Sequence, residues 1–189
     1  MKVIPADKVL RLTMLFHDMA KPLMKTVDED GRAHFKMHDV KGADLTKMIL
    51  KRLKFDNDTL NKVVKLVRHH DYRIPADAKS VRRAMNVIGE DLFPMYHEVR
   101  LADTLAQSIY LREEKLQNLA EVWGTYEEIL EKKQCVSLKD LAISGSDLIA
   151  NGMQPGKEIG RILNALLELV LENPEYNTKE KLLQLKDEV

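Results

Sequence analysis

At 189 residues the chain can form one generous domain or two small ones, and it can bury a core without disulfide staples. With 44% hydrophobic and 32% charged residues, and only 8 Gly and 6 Pro, it reads as a helix-leaning globular protein, which excludes disorder as the dominant state. The 30 Lys/Arg and 30 Asp/Glu cancel, but residues 1–100 carry 20 basic against 14 acidic side chains, so the N-terminal half admits a phosphate-rich partner; oppositely charged solvated helix faces explain the imbalance as well.

Pro5 and Asp7 open a first helix, with Val9, Leu12, Thr13 and Phe16 at helical spacing. Pro22 is expected to end it after Lys21, which puts His17 and Asp18 in its last turn. The apolar run Val9 to Phe16 is too short for a secretory signal and leads into His-Asp rather than a small-residue cleavage site. Asp28-Glu29-Asp30-Gly31 reads as a turn, and its spacing does not match a calcium loop; a short hairpin around Gly31 is the one place where β structure is expected.

A second helix is expected from His38 through Leu45, Met48, Ile49 and Leu53. A third, capped by Asp56 or Asn57, runs through Leu60, Val63, Val64 and Val67 to His70. Asp77 caps a short helix to Ile88, and residues 91–110 and 111–133 form longer helical patterns, with Pro94 tolerated in an opening turn. The only cysteine, Cys135, excludes an internal disulfide and a thiolate zinc cluster, fits a reducing compartment and does not read as a nucleophile. Val136 to Gly156, broken by Gly145, Gly152 and Pro155, reads as short helices and loops before a strong helix from Ile159 to Leu171 and a last one after Pro174. Asn164 and Glu168 interrupt the greasiest run, Ile162 to Leu171, far short of the ~18 apolar residues of a spanning helix. An all-α, soluble, cytoplasmic protein is predicted.

Several residues look expensive without a role. Asp103 lies in a helical stripe of Met95, Tyr96, Val99, Ala102, Ala106 and Tyr110; an ionised carboxylate there needs either a metal or a buried Arg. His69 and His70 are separated by ~100° around a helix. Spacing from Val63 and Val67 sends His70 inward, and spacing from Lys62 and Lys65 sends His69 to the solvated side. His38 stacks above Gly42 and in line with Leu45 and Ile49, while His34 lies just outside that helix. A single inward histidine is more often hydrogen-bonded core than ligand, because a carbonyl satisfies its second nitrogen; several together raise the ligand alternative. His17, Asp18, His38, His70 and Asp103 form such a set, with no thiolate, suited to Mg²⁺, Mn²⁺, Fe or Ni. A pair of such ions could polarise a phosphoryl oxygen and supply hydroxide, with Lys21 placed to stabilise the developing phosphate charge.

These residues also carry a family resemblance. Leu10-Arg-Leu-Thr-Met-Leu-Phe-His17-Asp18-Met-Ala-Lys21-Pro22 resembles the His-Asp signature of the HD superfamily of metal-dependent phosphohydrolases. Asp28-Glu-Asp-Gly-Arg-Ala-His34-Phe-Lys-Met-His38, then Ile49-Leu-Lys-Arg-Leu-Lys-Phe55 and Leu66-Val-Arg-His-His70-Asp71, is similar to the HD region of bacterial CCA-adding tRNA nucleotidyltransferases. The more specific match is to the tail of the same enzymes: Leu141-Ala-Ile-Ser-Gly-Ser-Asp-Leu-Ile-Ala-Asn-Gly152, Gln154-Pro-Gly-Lys157-Glu-Ile-Gly160 and Asn173-Pro-Glu-Tyr-Asn177.

The resemblance implies an HD-like helical bundle over residues 1–110 and a helical tRNA-binding tail over 111–189. It implies a full-length enzyme that adds C, C and A to tRNA 3′ ends from CTP and ATP with Mg²⁺. The nucleotidyltransferase head, with its Gly-Ser motif and paired-Asp strand, has no counterpart here, because Gly145-Ser146 lies in the tail region and Asp28 and Asp30 lie in a turn. These 189 residues are therefore expected to grip tRNA rather than to add nucleotides, with Lys157 and Arg161, at the start of the Ile159 helix, beside an RNA phosphate. Three departures from the HD pattern lower the expected metal occupancy: no histidine precedes His17, Ala20 replaces a glycine, and Met37 replaces the glycine before His38. The alternatives are a stand-alone HD phosphohydrolase acting on nucleotides, cyclic phosphates or RNA ends, and a metal-free HD scaffold.

Overall fold

The computed structural model describes residues 4–189. The architecture is all-α; among the described residues the only sheet is one hairpin of two-residue strands, β1 (Thr26–Val27) and β2 (Ala33–His34), paired antiparallel. Its turn is closed by Gly31 at φ 76° and by Asp28 Oδ1, which accepts the Arg32 N–H at 2.8 Å.

The first helix, α1 (Lys8–Phe16), is capped by Asp7, whose carboxylate accepts the Leu10 N–H at 2.9 Å. It stops at Phe16, well short of Lys21, and Pro22 instead opens the short helix α2 (Lys21–Met24). Proline lacks an N–H, which the first turn of a helix does not need, so it begins a helix here rather than ending one. Asp18 thus lies in the turn between α1 and α2, and only His17 caps α1.

Helix α3 (His38–Arg52) begins where expected but is rotated from the expected face. It buries His38, Gly42, Ala43, Thr46 and Leu50, whereas Met48 and Leu53 are 67% and 56% exposed. Close approach of neighbouring elements decides the phase. A Cβ on Gly42 would already touch Val67 Cγ1 at 3.5 Å and the His17 carbonyl at 3.6 Å, so small side chains turn inward at this crossing, while Met48 and Leu53 face outward and Leu45 and Ile49 are only half-buried. Helix α4 (Asn57–His69) is capped by Asp56, which accepts from both Thr59 N and Thr59 Oγ1 at 2.8 Å, and it buries Leu60, Val63, Leu66 and Val67.

Helix α5 (Ala78–Ile88) is capped by Asp77 through the Ser80 N–H at 2.9 Å. Helix α6 (Phe93–Ala106) carries Pro94 in its first turn and buries Tyr96, Val99, Ala102 and Asp103. It ends at Ala106, so Ala106 and Tyr110 are exposed and fall outside the buried stripe around Asp103. Helix α7 (Arg112–Glu131) comes next. A 3-10 turn (Leu138–Asp140), α8 (Gly145–Ala150), α9 (Lys157–Glu172), a second 3-10 turn (Pro174–Tyr176) and α10 (Lys179–Leu185) complete the chain.

Two compact units result. One comprises the chain up to Arg73 together with Ile88–Glu121; in it α3 packs on α4, and α1 packs on both α4 and α6. The other comprises Ile74–Val87 and Val122–Val189, around an aliphatic core that includes Leu148, Ile162, Leu166, Val170 and Leu182. This second unit buries the cation of Arg82. Nε donates to Leu171 O at 2.9 Å, Nη2 to Glu172 O at 3.0 Å and Nη1 to Gln134 Oε1 at 3.0 Å, so α5 satisfies the open carbonyls at the end of α9. Cys135 belongs to the same core, and burial, with Asp140 nearby, pushes its thiol up to about 11. Among the described residues no helix is long and apolar enough to cross a membrane.

Candidate metal centre

Four segments of the first unit deliver their polar side chains to one place: the α1–α2 turn (His17, Asp18), the first residue of α3 (His38), the C-cap of α4 (His70) and the buried face of α6 (Asp103). Each of the three imidazoles is anchored in the same way. Nδ1 of His17, His38 and His70 bonds the carbonyl three residues earlier, Met14 O at 3.0 Å, Phe35 O at 2.8 Å and Val67 O at 2.7 Å. Carbonyls accept only, so this pattern assigns the ring proton to Nδ1 and leaves the Nε2 lone pairs aimed into the cluster. Helix ends supply such carbonyls because their last C=O groups lack helical partners.

The Nε2 atoms of His38 and His70 are 3.1 Å apart, a distance at which two lone pairs repel unless a proton or a cation lies between them. Asp18 Oδ1 is 3.5 Å from both, buried and without a hydrogen bond. Its other oxygen accepts from Lys21 Nζ at 2.6 Å and lies 3.4 Å from His17 Nε2, which is in turn 3.6 Å from Asp103 Oδ1. Two triads therefore share Asp18: Asp18 with His38 and His70, and His17 with Asp18 and Asp103, each with ligand atoms within 4.8 Å of one another. Neutral imidazole nitrogens beside carboxylates are a donor set that fits a divalent transition metal or Mn²⁺.

Without a metal, the electrostatics are those of a charged pair. Burial opposes charge on His17, but the adjacent Asp103 and Asp18 outweigh it and raise the imidazole from 6.5 to about 9. Burial likewise opposes ionisation of Asp18, yet His17, His70 and Lys21 hold it well below the usual carboxylate range; Asp103 is also held low, mainly by His17 acting against burial. A metal binding here displaces the His17 proton.

Of the other residues singled out in the sequence, Lys21 borders the cluster, pairs with Asp18 and lines the cavity onto which the cluster opens. His69 lies outside the cluster, edge-on to Tyr72 with ring centroids 6.3 Å apart, and burial together with Lys65 and Arg68 lowers its pKa. His34 pairs with Asp28 at 2.7 Å in the hairpin. Lys157 and Arg161 belong to the other unit; both are exposed, and Arg161 is bonded to Glu158 at 2.7 Å and to Val189 O at 3.1 Å.

Two further contributors are absent from the sequence-based set. Arg100 Nη1 donates to His70 O at 3.0 Å and lies 3.6 Å from Asp71 and 3.9 Å from Asp103, joining the end of α4 to α6. Gln107 donates to Asp103 Oδ2 at 2.7 Å. Their positions three before and four after Asp103 in the chain are the signal that could have found them. The cluster opens on a cavity of about 450 Å³ whose lining includes His38, His70 and Asp103 together with the cations Lys21, Lys36 and Arg73 and the carboxylates Asp39 and Asp71.

Comparison with known proteins places this geometry in context. Residues 36–185 match the family model described as tRNA nucleotidyltransferase domain 2, putative. A CC-adding tRNA nucleotidyltransferase of Thermus thermophilus is 38% identical over 173 residues, covering 90% of this chain and 38% of that protein. An A-adding tRNA nucleotidyltransferase of Deinococcus radiodurans is 33% identical over 165 residues, covering 86% of this chain and 38% of that protein. No solved structure is significantly similar. The chain thus spans 38% of the length of these curated relatives.

Proposed function

Because the chain belongs to the tRNA nucleotidyltransferase domain 2 family, we propose that it is the HD-like and tRNA-gripping portion of a cytoplasmic enzyme that builds the CCA end of tRNA. The observation that carries this reading is the match over residues 36–185, which takes in the greater part of both compact units. In this reading residues 1–110 form the HD domain and 111–189 the tRNA-binding tail, holding the acceptor arm and elbow through phosphate contacts and shape. One relative is named for CC addition and the other for A addition, so nucleotide choice is assigned to the nucleotidyltransferase head, for which these residues supply no paired-Asp strand.

His17, Asp18, His38, His70 and Asp103 would hold the divalent metal. The facing Nε2 atoms and the unbonded Asp18 oxygen support this assignment. When bound, such an ion supplies Lewis-acid polarisation of a phosphoryl oxygen and an activated water. Around it the chain's own groups do the positioning: Lys21, Lys36 and Arg73 attract a phosphate into the cavity, and Arg100 and Gln107 keep Asp103 turned toward His17. The same cavity, with Lys21, Lys36 and Arg73 in its lining beside the cluster, favours a second reading, in which the cluster hydrolyses a nucleotide, a cyclic phosphate or an RNA end.

The test measures binding of tRNA lacking CCA to the 189-residue chain, together with incorporation of labelled CTP and ATP. Binding without incorporation is expected. Incorporation by this chain, or no binding even at low salt, overturns the reading. Release of phosphate from nucleotides or cyclic nucleotides in the presence of Mn²⁺ or Ni²⁺, lost in His70→Ala, establishes the second.

A further inference from the structure

The first unit has a second depression that shares no residue with the metal cluster. It lies along the α3–α4 pair, has a volume of about 450 Å³ and is walled by Asp44 and Lys47 of α3 and by Asn61, Lys65 and Arg68 of α4. Lys65 and Arg68 stand one turn apart on α4, where side chains are ~5–6 Å apart at Cβ, with Lys47 on the opposite wall. Among the described residues none of these three cations is held in an ion pair, in contrast to Lys62 on the same helix, which is tied to Asp58 at 2.8 Å. Asp44 is the single carboxylate of the lining, and the Asn61 amide adds neutral donors.

We propose that this groove binds an RNA phosphate backbone, a contact that rests on the tRNA reading above and adds a second surface to it. Charge complementarity commits the occupant: three cations outside close ion pairs and one carboxylate line the groove, in the half of the chain that carries 20 Lys/Arg against 14 Asp/Glu. Lysine, arginine and asparagine side chains without base-reading geometry give a contact indifferent to sequence, one that positions the RNA rather than identifying it.

The test is the triple variant Lys47→Gln, Lys65→Gln, Arg68→Gln in the full 189-residue chain. Its affinity for tRNA is measured at several salt concentrations beside wild type and the tail variant Lys157→Ala, Arg161→Ala. The expected result is roughly ten-fold weaker binding near physiological salt, and a log K against log salt slope smaller by about two to three, since each cation contributes ~0.7 on a single strand and ~0.9 on a duplex. The far-ultraviolet spectrum should be unchanged, because the altered side chains lie at the surface. If wild type binds tRNA and the triple variant binds identically at every salt, the groove is not an RNA surface and the tRNA reading stands. If wild type does not bind, the tRNA reading fails and this proposal with it. If sedimentation shows the triple variant losing self-association while tRNA affinity is unchanged, the groove takes an acidic protein surface and the proposal is overturned.

Discussion

The two compact units bury polar groups in opposite ways. In the second, the buried cation of Arg82 has each guanidinium nitrogen engaged by an oxygen of the chain, and the surrounding core is aliphatic. In the first, His38, His70 and Asp103 are buried around an Asp18 oxygen that bonds to nothing, and two imidazole nitrogens meet at 3.1 Å. A buried polar group whose hydrogen bonds are complete serves the fold, whereas one left open in a low-dielectric site costs several kcal/mol unless an exogenous partner closes it. That contrast separates Arg82 from Asp18 although both are ionisable and both sit between helices.

The sharpest way to break the contrast is at Asp18, which both triads share. Asp18→Asn should weaken Mn²⁺ or Ni²⁺ binding by more than about 100-fold, beyond the 10- to 100-fold typical of outer-shell changes, read by isothermal titration and by elemental analysis after dialysis. Arg82→Met should leave metal affinity untouched. Equal metal content in wild type and Asp18→Asn would make the open oxygen a feature of packing and favour a metal-free scaffold.

The next effect belongs to the other unit. Arg82→Met keeps much of the side-chain volume but strips the α9 carbonyls of their donors, and should destabilise the protein by ~2–4 kcal/mol. Urea denaturation monitored by circular dichroism checks this. Arg82→Lys should recover only part of the loss, because one ammonium cannot reach all three acceptors in the geometry of a planar fork. A cost under about 0.5 kcal/mol would mean that the carbonyls find water instead.

What is legible in the sequence divides along the same line. Helix periodicity alone turns His70 and Asp103 inward, because Val63, Val67, Tyr96 and Val99 mark their faces, and the His17-Asp18 pair is marked by its motif. The phase of α3 escapes periodicity because it is set by the close approach at Gly42, a tertiary contact that outweighs the larger side chains of Leu45, Met48 and Ile49. The end of α1 escapes it for a similar reason: Pro22 is as compatible with a helix start as with a stop. Arg82 gives no signal, since it sits in an Arg82-Arg83 pair that reads as solvated, and its three acceptors are contributed by residues 52 to 90 positions away.

A smaller effect links the metal cluster to pH. In the metal-free protein the His17 pKa is raised from 6.5 to about 9, so the folded state binds its proton more tightly than the unfolded state does. The resulting stabilisation is fully present below about 6.5, declines as pH rises and is gone above about 9. Its size should be ~1–3 kcal/mol. Asp18 and Asp103 have the opposite sign: their lowered pKa values stabilise the fold above the ordinary carboxylate range and that contribution is lost as pH falls through it. Thermal melts in EDTA should therefore fall between pH 6.5 and 9. Bound Mn²⁺ should reverse the trend, since the metal competes with the His17 proton. His17→Asn should flatten the EDTA profile; an unchanged slope would assign it to other groups.

The smallest effect tests whether the cluster is built under backbone strain. Met37, which caps α3 immediately before His38, has φ 64° and ψ 15°, a left-handed conformation that a side chain with a Cβ disfavours by ~1–2 kcal/mol. It is 58% exposed, so little packing compensates. The strain is maintained by the hydrogen bonds of its neighbour: the left-handed residue turns the chain so that the His38 N–H and Nδ1 can both reach Phe35 O, at 3.2 and 2.8 Å, which aims Nε2 at His70. Met37→Gly should relieve the strain and stabilise the protein by about 0.5–1 kcal/mol, less than the full penalty because glycine also gives the unfolded chain more freedom. Metal affinity should be unchanged if His38 is held by its hydrogen bonds, and should fall if the methionine stem is what confines the α3 start. The two outcomes are separated by measuring the melting temperature and Mn²⁺ affinity on the same preparation. Met37→Ala keeps the strain and removes the stem, and should leave the melting temperature near that of wild type.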